Sequence, residues 1–441
     1  MSIFIVAVVV FSIVVSLQAA YTVYLMIYTW DQPEAYRRAA APARFLPPEK
    51  SFTVLLPARH EEDVIQETIQ RAIQINYPPS KVEVVVVCEA GDAGTIAKAE
   101  EKIASLRARG ITHARLITFS DRPINKPHGL NVGFAQTHND VVTIFDAEDE
   151  IHPEILNIVN TVMLEDKVNV VQCGVQLMNY DSSWYSTLNV LEYYFWFKSR
   201  LHFHAKAGMI PLGGNTVFFT RELVNRLGGW DENNLTEDAD MGIRISAMGE
   251  RVRVVYDDRY VTKEETPPTL GHFVKQRTRW SQGFLQTVKK GNWRELDGFW
   301  RQFLALYTLG FPSFQALLAT YVPVSIYMML TTKVPVAWAM ILMVPFYFLI
   351  AHYIISVVGL YEFASAHRLR PSWKTPLAML LSYIPYQWVL AFAALRAFLR
   401  EVRGINNWEK TKHVGAHRLH STEQQPVGAK GDAGGRFDRA A

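Results

Sequence analysis

The sequence predicts an α/β protein: a mostly parallel, doubly wound sheet in the middle of the chain, with membrane-spanning helices on either side of it. Two observations carry this. Between residues 51 and 265, short β-rich runs alternate with helical patterns, as crossover helices joining parallel strands require. Outside that stretch lie four long, almost uncharged apolar runs, in a chain of 441 residues that is 49% hydrophobic. An apolar excess gathered at the two ends points to a bilayer and not to a larger soluble core.

The elements follow in order. Residues 3–28 form the first apolar run, with no basic segment ahead of it and a length beyond the ~7–15 apolar residues of a secretory leader, so an anchor that stays is expected. Arg37, Arg38, Arg44 and Lys50 come next, among Pro42, Pro47 and Pro48. They read as an extended linker over residues 31–50, and positive charge after a span marks the cytoplasmic side. Strands are expected at residues 52–56, 82–87, 115–119, 141–145, 169–172 and 216–219, and helices at 61–75, 95–109, 153–164 and 184–203. The last of these carries an aromatic cluster, Tyr193 to Phe197, whose default role is core packing. Cys88 and Cys173 fall in expected core strands, so no disulfide framework or metal-ligand spacing is indicated.

Three more apolar runs, residues 303–330, 334–361 and 376–399, each reach the ~20 residues that cross a bilayer core. If all three crossed, the basic residues Arg400, Arg403, Lys410, Lys412 and Arg418 would end outside, against the positive-inside tendency. The run at 376–399, which contains Pro385 and Arg396, is therefore expected to lie in the interface or re-enter. Residues 266–302 read as interfacial helices, and 413–441 as a disordered tail. The +3 net charge says little about partners, and no nucleic-acid partner is expected.

In a sheet of this class ligands sit beyond the carboxyl ends of the strands, so those segments hold the candidate chemistry. The first strand runs into Pro57-Ala58-Arg59-His60-Glu61-Glu62 and the second into Glu89-Ala90-Gly91-Asp92. Lys126-Pro127-His128-Gly129-Leu130-Asn131-Val132-Gly133 offers a point charge for a diphosphate, with Asn131 and glycines that permit close backbone approach. Asp146 and Glu148, two residues apart at an irregular strand end, can both turn toward one hard cation such as Mg²⁺ or Mn²⁺. Pro211-Leu212-Gly213-Gly214-Asn215 brings backbone close to a ligand, or simply makes a tight turn. Thr236-Glu237-Asp238 opens a helix, where carboxylates are favoured; a helix cap is the plain alternative. Gln276-Arg277-Thr278-Arg279-Trp280 sets Gln276, Arg279 and Trp280 on one helix face, which an interfacial helix with a snorkelling arginine would also do.

Asp146-Ala147-Glu148-Asp149, Thr236-Glu237-Asp238 and Gln276-x-x-Arg279-Trp280, in this order, resemble the membrane-bound family 2 glycosyltransferases, the class of cellulose, chitin and hyaluronan synthases and ceramide glucosyltransferase. The resemblance spans roughly residues 51–411 and implies a GT-A fold over 51–265. It implies that Asp238 is the catalytic base and that Pro57, Arg59, Glu61 and Glu89 line the nucleotide, although many relatives have paired aspartates where Glu89 stands. Lys126, Asn131, Asp146 and Arg279 would hold the donor's diphosphate, and Asp146 with Glu148 the metal ion. Gly213, Gly214, Asn215, Glu237, Gln276 and Trp280 would shape the acceptor pocket, with Trp408-Glu409-Lys410-Thr411 near its mouth.

The resulting expectation is an inverting, Mg²⁺- or Mn²⁺-dependent enzyme of the inner (plasma) membrane, multi-pass, with its catalytic domain cytoplasmic. It would pass a hexose, from a UDP-sugar first of all, to a growing β-linked polysaccharide. A single transfer to a lipid acceptor is the alternative. A transporter subunit that merely binds nucleotide is disfavoured, because the apolar runs hold few of the charges that mark a substrate path.

Overall fold

The computed structural model describes residues 3–331, 335–407 and 409. Trp408, Lys410 and Thr411 of the expected mouth segment, and the expected tail from 413, lie outside these residues. The strands are β1 (Phe52–Ala58), β2 (Val82–Glu89), β3 (Ala114–Phe119), β4 (Val141–Ile144), β5 (Val170–Cys173), β6 (Val175–Leu177), β7 (Val217–Thr220), β8 (Val252–Val255) and β9 (Thr262–Glu264). Seven of them form one sheet in the order β3-β2-β1-β4-β7-β5-β8, and β6 pairs in parallel with β9 beside it. Only β7 runs antiparallel in the large sheet, against β4 and β5. The expected strands are recovered within a residue or two at each end; β6, β8 and β9, each of three or four residues, are too short to show an alternation.

Both faces of the sheet are covered, which is why β1 and β2 read as nearly continuous apolar runs. Phe52, Val54, Leu56, Val84 and Val86 pack on one face, and Leu55, Val85 and Val87 on the other. The helices are α1 (Ile3–Asp31), α2 (Pro33–Ala39), α3 (Ile65–Ile73), α4 (Ala93–Ala108), α5 (Lys126–Ala135), α6 (Ile155–Asp166), α7 (Ser186–Phe195), α8 (Leu201–Ala207), α9 (Arg221–Leu227), α10 (Glu237–Ala247), α11 (Leu270–Lys290), α12 (Phe299–Thr331), α13 (Val336–Ala366) and α14 (Thr375–Val402).

The segment expected to be a linker is more ordered than that. Residues 33–39 are helical, and the backbone N–H groups of Leu46, Glu49 and Lys50 donate to Thr161 and Asn160 of α6. Prolines removed donors from the stretch, but the remaining ones found partners on the domain.

Among the described residues, three helices are long and apolar enough to cross a membrane: residues 6–31 of α1, α13 and α14. Pro385 does not break α14, which is one helix of 28 residues. One face of α14 packs on α11 and α12, through Tyr386 against Phe273 and Gln387 with Gln315, while Leu377, Leu381, Trp388, Phe392 and Leu395 stay exposed.

Candidate active site

Strand order reverses between β1 and β4: β2 and β3 lie on one side, and β7 and β5 on the other. The crevice beyond their carboxyl ends opens into a cavity of about 870 Å³. Every site residue anticipated from the sequence lines it, with one exception. Asn131 sits one turn into α5 and faces away. Its amide donates to the Trp230 carbonyl and Glu232 (2.9 and 2.8 Å) and accepts from the Trp230 N–H (2.9 Å), clamping the loop before α10. The expectation that Asn131 meets the diphosphate is corrected on this ground: its polar atoms are already used, and Gly229 is needed to let it in.

At the mouth, β1 ends in Pro57, and the next turn is fixed by His60, whose φ of +55° is held by Asp92 accepting its N–H. That turn puts Arg59 and Glu61 beside Glu89 of β2. Lys126, the first residue of α5, reaches across the crevice. Its Nζ lies 2.6 Å from Asp146, 3.2 Å from the Gly214 carbonyl and 4.0 Å from Glu237. One lysine therefore ties together three motifs that lie up to 111 positions apart.

The acidic centre is larger than the sequence suggested. Asp149 is wholly buried and accepts from the Asp146 N–H and from Asn215 (2.8, 3.1 and 3.0 Å), and Asn215 also donates to Glu264. Asn215, expected at the acceptor, instead holds two carboxylates together while lining the cavity. Glu264, on β9, joins Asp146 and Glu148, and no motif announced it. Burial, with Glu148 and Asp146 nearby, pushes its carboxyl up to about 8, and burial with Glu264 close by holds Asp149 well above the usual carboxylate range. Such a group draws protons in place of missing positive charge, the condition a divalent cation relieves. Among the described residues no three acidic, histidine or cysteine side chains surround a common point. A cation here would be held by Asp146 and Glu148 together with ligand oxygens, as Mg²⁺ and phosphates combine elsewhere.

Thr236-Glu237-Asp238 does open α10, but the Thr236 side chain caps nothing; its N–H and hydroxyl both turn to Asn234. That frees Glu237 and Asp238 to face the crevice. Asp238 is half-buried, accepts from the Ala239 N–H (2.8 Å), and stands against Gly214, where a Cβ would lie 3.1 Å from its Oδ2. Burial raises the Asp238 carboxyl, and burial pushes Glu237 up to about 7 against the pull of Lys126.

The far wall is α11. Gln276, Arg279 and Trp280 face the cavity together, and Tyr193 of α7 lies 6.2 Å from the Trp280 ring. Tyr193 thus joins the site while still packed on the core, Phe195 and Phe197 serve both core and cavity wall, and Tyr194 stays in the core as expected. Arg277 braces the wall, stacked 4.7 Å over Trp280 and paired with Glu192. Arg279 donates to the Glu409 carbonyl (3.4 Å), so this one described residue of the expected mouth segment does reach the site. Below Trp280 the cavity continues between α1, α12, α13 and α14, past Arg200, Phe311 and Phe346.

Comparison with known proteins agrees with this geometry. Residues 47–283 match the family described as "Glycosyltransferase like family 2", which is more than half of the chain. A probable glucomannan 4-beta-mannosyltransferase 2 of Oryza sativa subsp. japonica is 24% identical over 405 residues, 88% of this chain and 66% of that protein. A beta-monoglucosyldiacylglycerol synthase of Nostoc sp. is 24% identical over 237 residues, 53% of this chain and 49% of its own length. The chain thus spans between about half and two thirds of the length of these relatives. Among solved structures, mannosyltransferase PcManGT from Pyrobaculum calidifontis, in complex with GDP-Man and Mn²⁺, superposes with a TM-score of 0.51 at 19% identity, covering 90% of this chain and 99% of that one, a likeness of fold. With a mostly parallel GT-A sheet, a crevice at its strand-order reversal and residues 47–283 matched by the family, the chain belongs to the family 2 glycosyltransferases.

Proposed function

We propose that this protein transfers a hexose, with inversion, from a nucleoside-diphosphate donor to an acceptor carried by a membrane lipid. The observation that carries the reading is the continuity of the cavity: it starts at the acidic crevice and runs without interruption into the apolar helices. Pro57, Arg59, Glu61 and Glu89 would receive the nucleotide, a UDP-sugar being the first to try. Lys126 and Arg279 would face the diphosphate, and Asp146 with Glu148 would hold Mg²⁺ or Mn²⁺ against it. That ion would supply further charge neutralisation for the leaving group. Lys126 already spans from Asp146 to Glu237, so it can shift its charge toward a phosphate without moving far. Asp238, which lines the cavity with Asp146 and Glu148, would take the proton of an acceptor hydroxyl. Burial raises its carboxyl, while the Ala239 N–H, Lys126 and Arg279 favour the ionised form that a base needs. Trp280 and Tyr193 would form the platform for the acceptor's sugar or headgroup.

The proposed placement in the bilayer rests on which helices meet the catalytic domain. Glu362 near the end of α13 pairs with Lys198 (2.8 Å), and at the end of α14 Arg400 donates to Gln282 (3.0 Å). In its middle, Tyr386 packs against Phe273 of α11, and at its start the Pro376 carbonyl accepts from Tyr353 in the middle of α13. On this reading α12 and α13 would cross as a pair, and α14, packed along α11, would lie in the interface on the catalytic side although it is apolar enough to cross. That side would be cytoplasmic by the basic residues after α1.

A second reading is elongation of a β-linked polysaccharide. The aromatic platform and the alignment with a glucomannan 4-beta-mannosyltransferase over 88% of this chain favour it. The test is label transfer from UDP- and GDP-hexoses in membranes holding this protein, with Mn²⁺, Mg²⁺ or EDTA, the product sorted by solvent. Label in the organic phase is expected. Label only in solvent-insoluble polymer would replace the first reading with the second, and none from any donor would remove both.

A further inference from the structure

Below the platform, the cavity holds a cation that the sugar transfer does not use. Arg200 closes a five-residue π-helical turn, Trp196–Arg200, between α7 and α8. Such turns carry one extra residue and recur at functional sites. This one is pinned to α1, since Ser199 donates to the Leu25 carbonyl (2.8 Å) and accepts from the Thr29 N–H (3.3 Å). The Arg200 side chain enters the cavity beside Phe311, whose ring centre is 5.9 Å away, with His204, Tyr307 and His352 also on the wall. Its Nε is buried without a hydrogen-bond partner, and among the described residues no carboxylate pairs with it. The acid acting on it most strongly, Glu192, is bound to Arg277. His204 Nδ1 is also buried without a partner, and burial pulls that ring down to about 3, so it adds no charge.

A partly buried guanidinium whose Nε has no partner gains from a ligand that supplies an anion. The wall around Arg200 sets Phe311, Phe346 and Leu349 beside the polar edges of His204, Tyr307 and His352, and the same cavity reaches the crevice, so an anion carried on a molecule with an apolar body fits it. We propose that Arg200, with His204 as a neutral hydrogen-bonding neighbour, binds the phosphate of a membrane lipid, and so positions the acceptor's reactive end under Trp280. The planar fork of arginine suits two phosphate oxygens at once. This rests on the lipid-acceptor reading above and adds the chemistry of the headgroup.

The experiment uses the full-length protein in detergent, with native mass spectrometry and thermal melting as readouts. The probes are a polyprenyl monophosphate, phosphatidylglycerol and, as the neutral comparison, diacylglycerol. At least one phosphate lipid is expected to bind tenfold or more tighter than diacylglycerol, and the tighter of the two names the source of the phosphate. Arg200→Gln should lose that preference while keeping its affinity for nucleoside diphosphate, and Arg200→Lys should recover part of it. Without lipid, Arg200→Gln should melt no lower than the wild type, because an unpaired buried charge is gone; a purely structural arginine would give a lower melting temperature. Equal binding of all three lipids, or a preference that survives Arg200→Gln, overturns the proposal. If label still reaches a neutral lipid at full rate in Arg200→Gln, the anchor falls and the lipid acceptor stands. If the wild type binds none of the lipids and makes polymer, both fall.

Discussion

Asp238 and Asn131 show how differently two motif residues can be spent. Asp238 faces the crevice and lacks any cationic side chain at hydrogen-bond distance among the described residues, which suits a group that must accept a proton. Asp238→Asn is expected to lower transfer by roughly a hundredfold to ten-thousandfold, the usual worth of a general base, with nucleotide affinity unchanged in a binding assay. Asn131→Ala should do the reverse. It removes three hydrogen bonds to the Trp230–Glu232 loop, so it should cost about 1–3 kcal/mol in unfolding free energy and leave nucleotide affinity alone. A large loss of nucleotide affinity at unchanged stability would return Asn131 to the donor site.

At the scale of elements, the site depends on α11 pressing against the loop before α10. Gly283 makes the approach possible: a Cβ there would lie 2.6 Å from the Thr236 backbone N, so no side chain fits without moving that loop. Gly283→Ala should shift Glu237 and Asp238, and transfer is expected to fall at least tenfold in an assay where the nucleotide still binds. A fully active Gly283→Ala would mean that α11 and the Thr236 loop can part without harm. The same logic places α13, where Gly359 lets the helix pass directly over the Phe195 ring and so joins the membrane part to α7.

For the whole molecule, the crowded acids link stability to pH. Glu264 and Glu237 titrate near 8 and 7, above their ordinary range, so the folded protein holds protons that the unfolded chain has lost. Stability is therefore fully present at low pH and declines as pH rises through these values. Metal-free protein should melt lower at pH 8.5 than at pH 6, and Mn²⁺ with nucleoside diphosphate should restore more at pH 8.5, where the acids are ionised. An equal shift at both values would separate the cation from these carboxylates. Topology is tested at the same scale: if α14 lies in the interface as proposed, Ser372→Cys and Gly404→Cys should both be labelled from the side of the catalytic domain. Labelling from opposite sides would make α14 a span.

The sequence by itself determined the sheet, because alternating runs with two apolar faces can bury themselves only between two layers of helices. It also picked out residues that line the crevice, because ligands collect at strand ends and those ends carry acids, glycines and a lysine. What it could not reach was any contact set by pairing over distance. Glu264 reaches the acids because β9 pairs with β6, and Tyr193 joins the site because α7 lies against α11; neither position differs locally from its neighbours. The role of Asn131 was decided in the same way, by a loop a hundred residues later. Whether a polar residue serves a ligand or the fold depends on which partner arrives first in space, and only the tertiary structure fixes that.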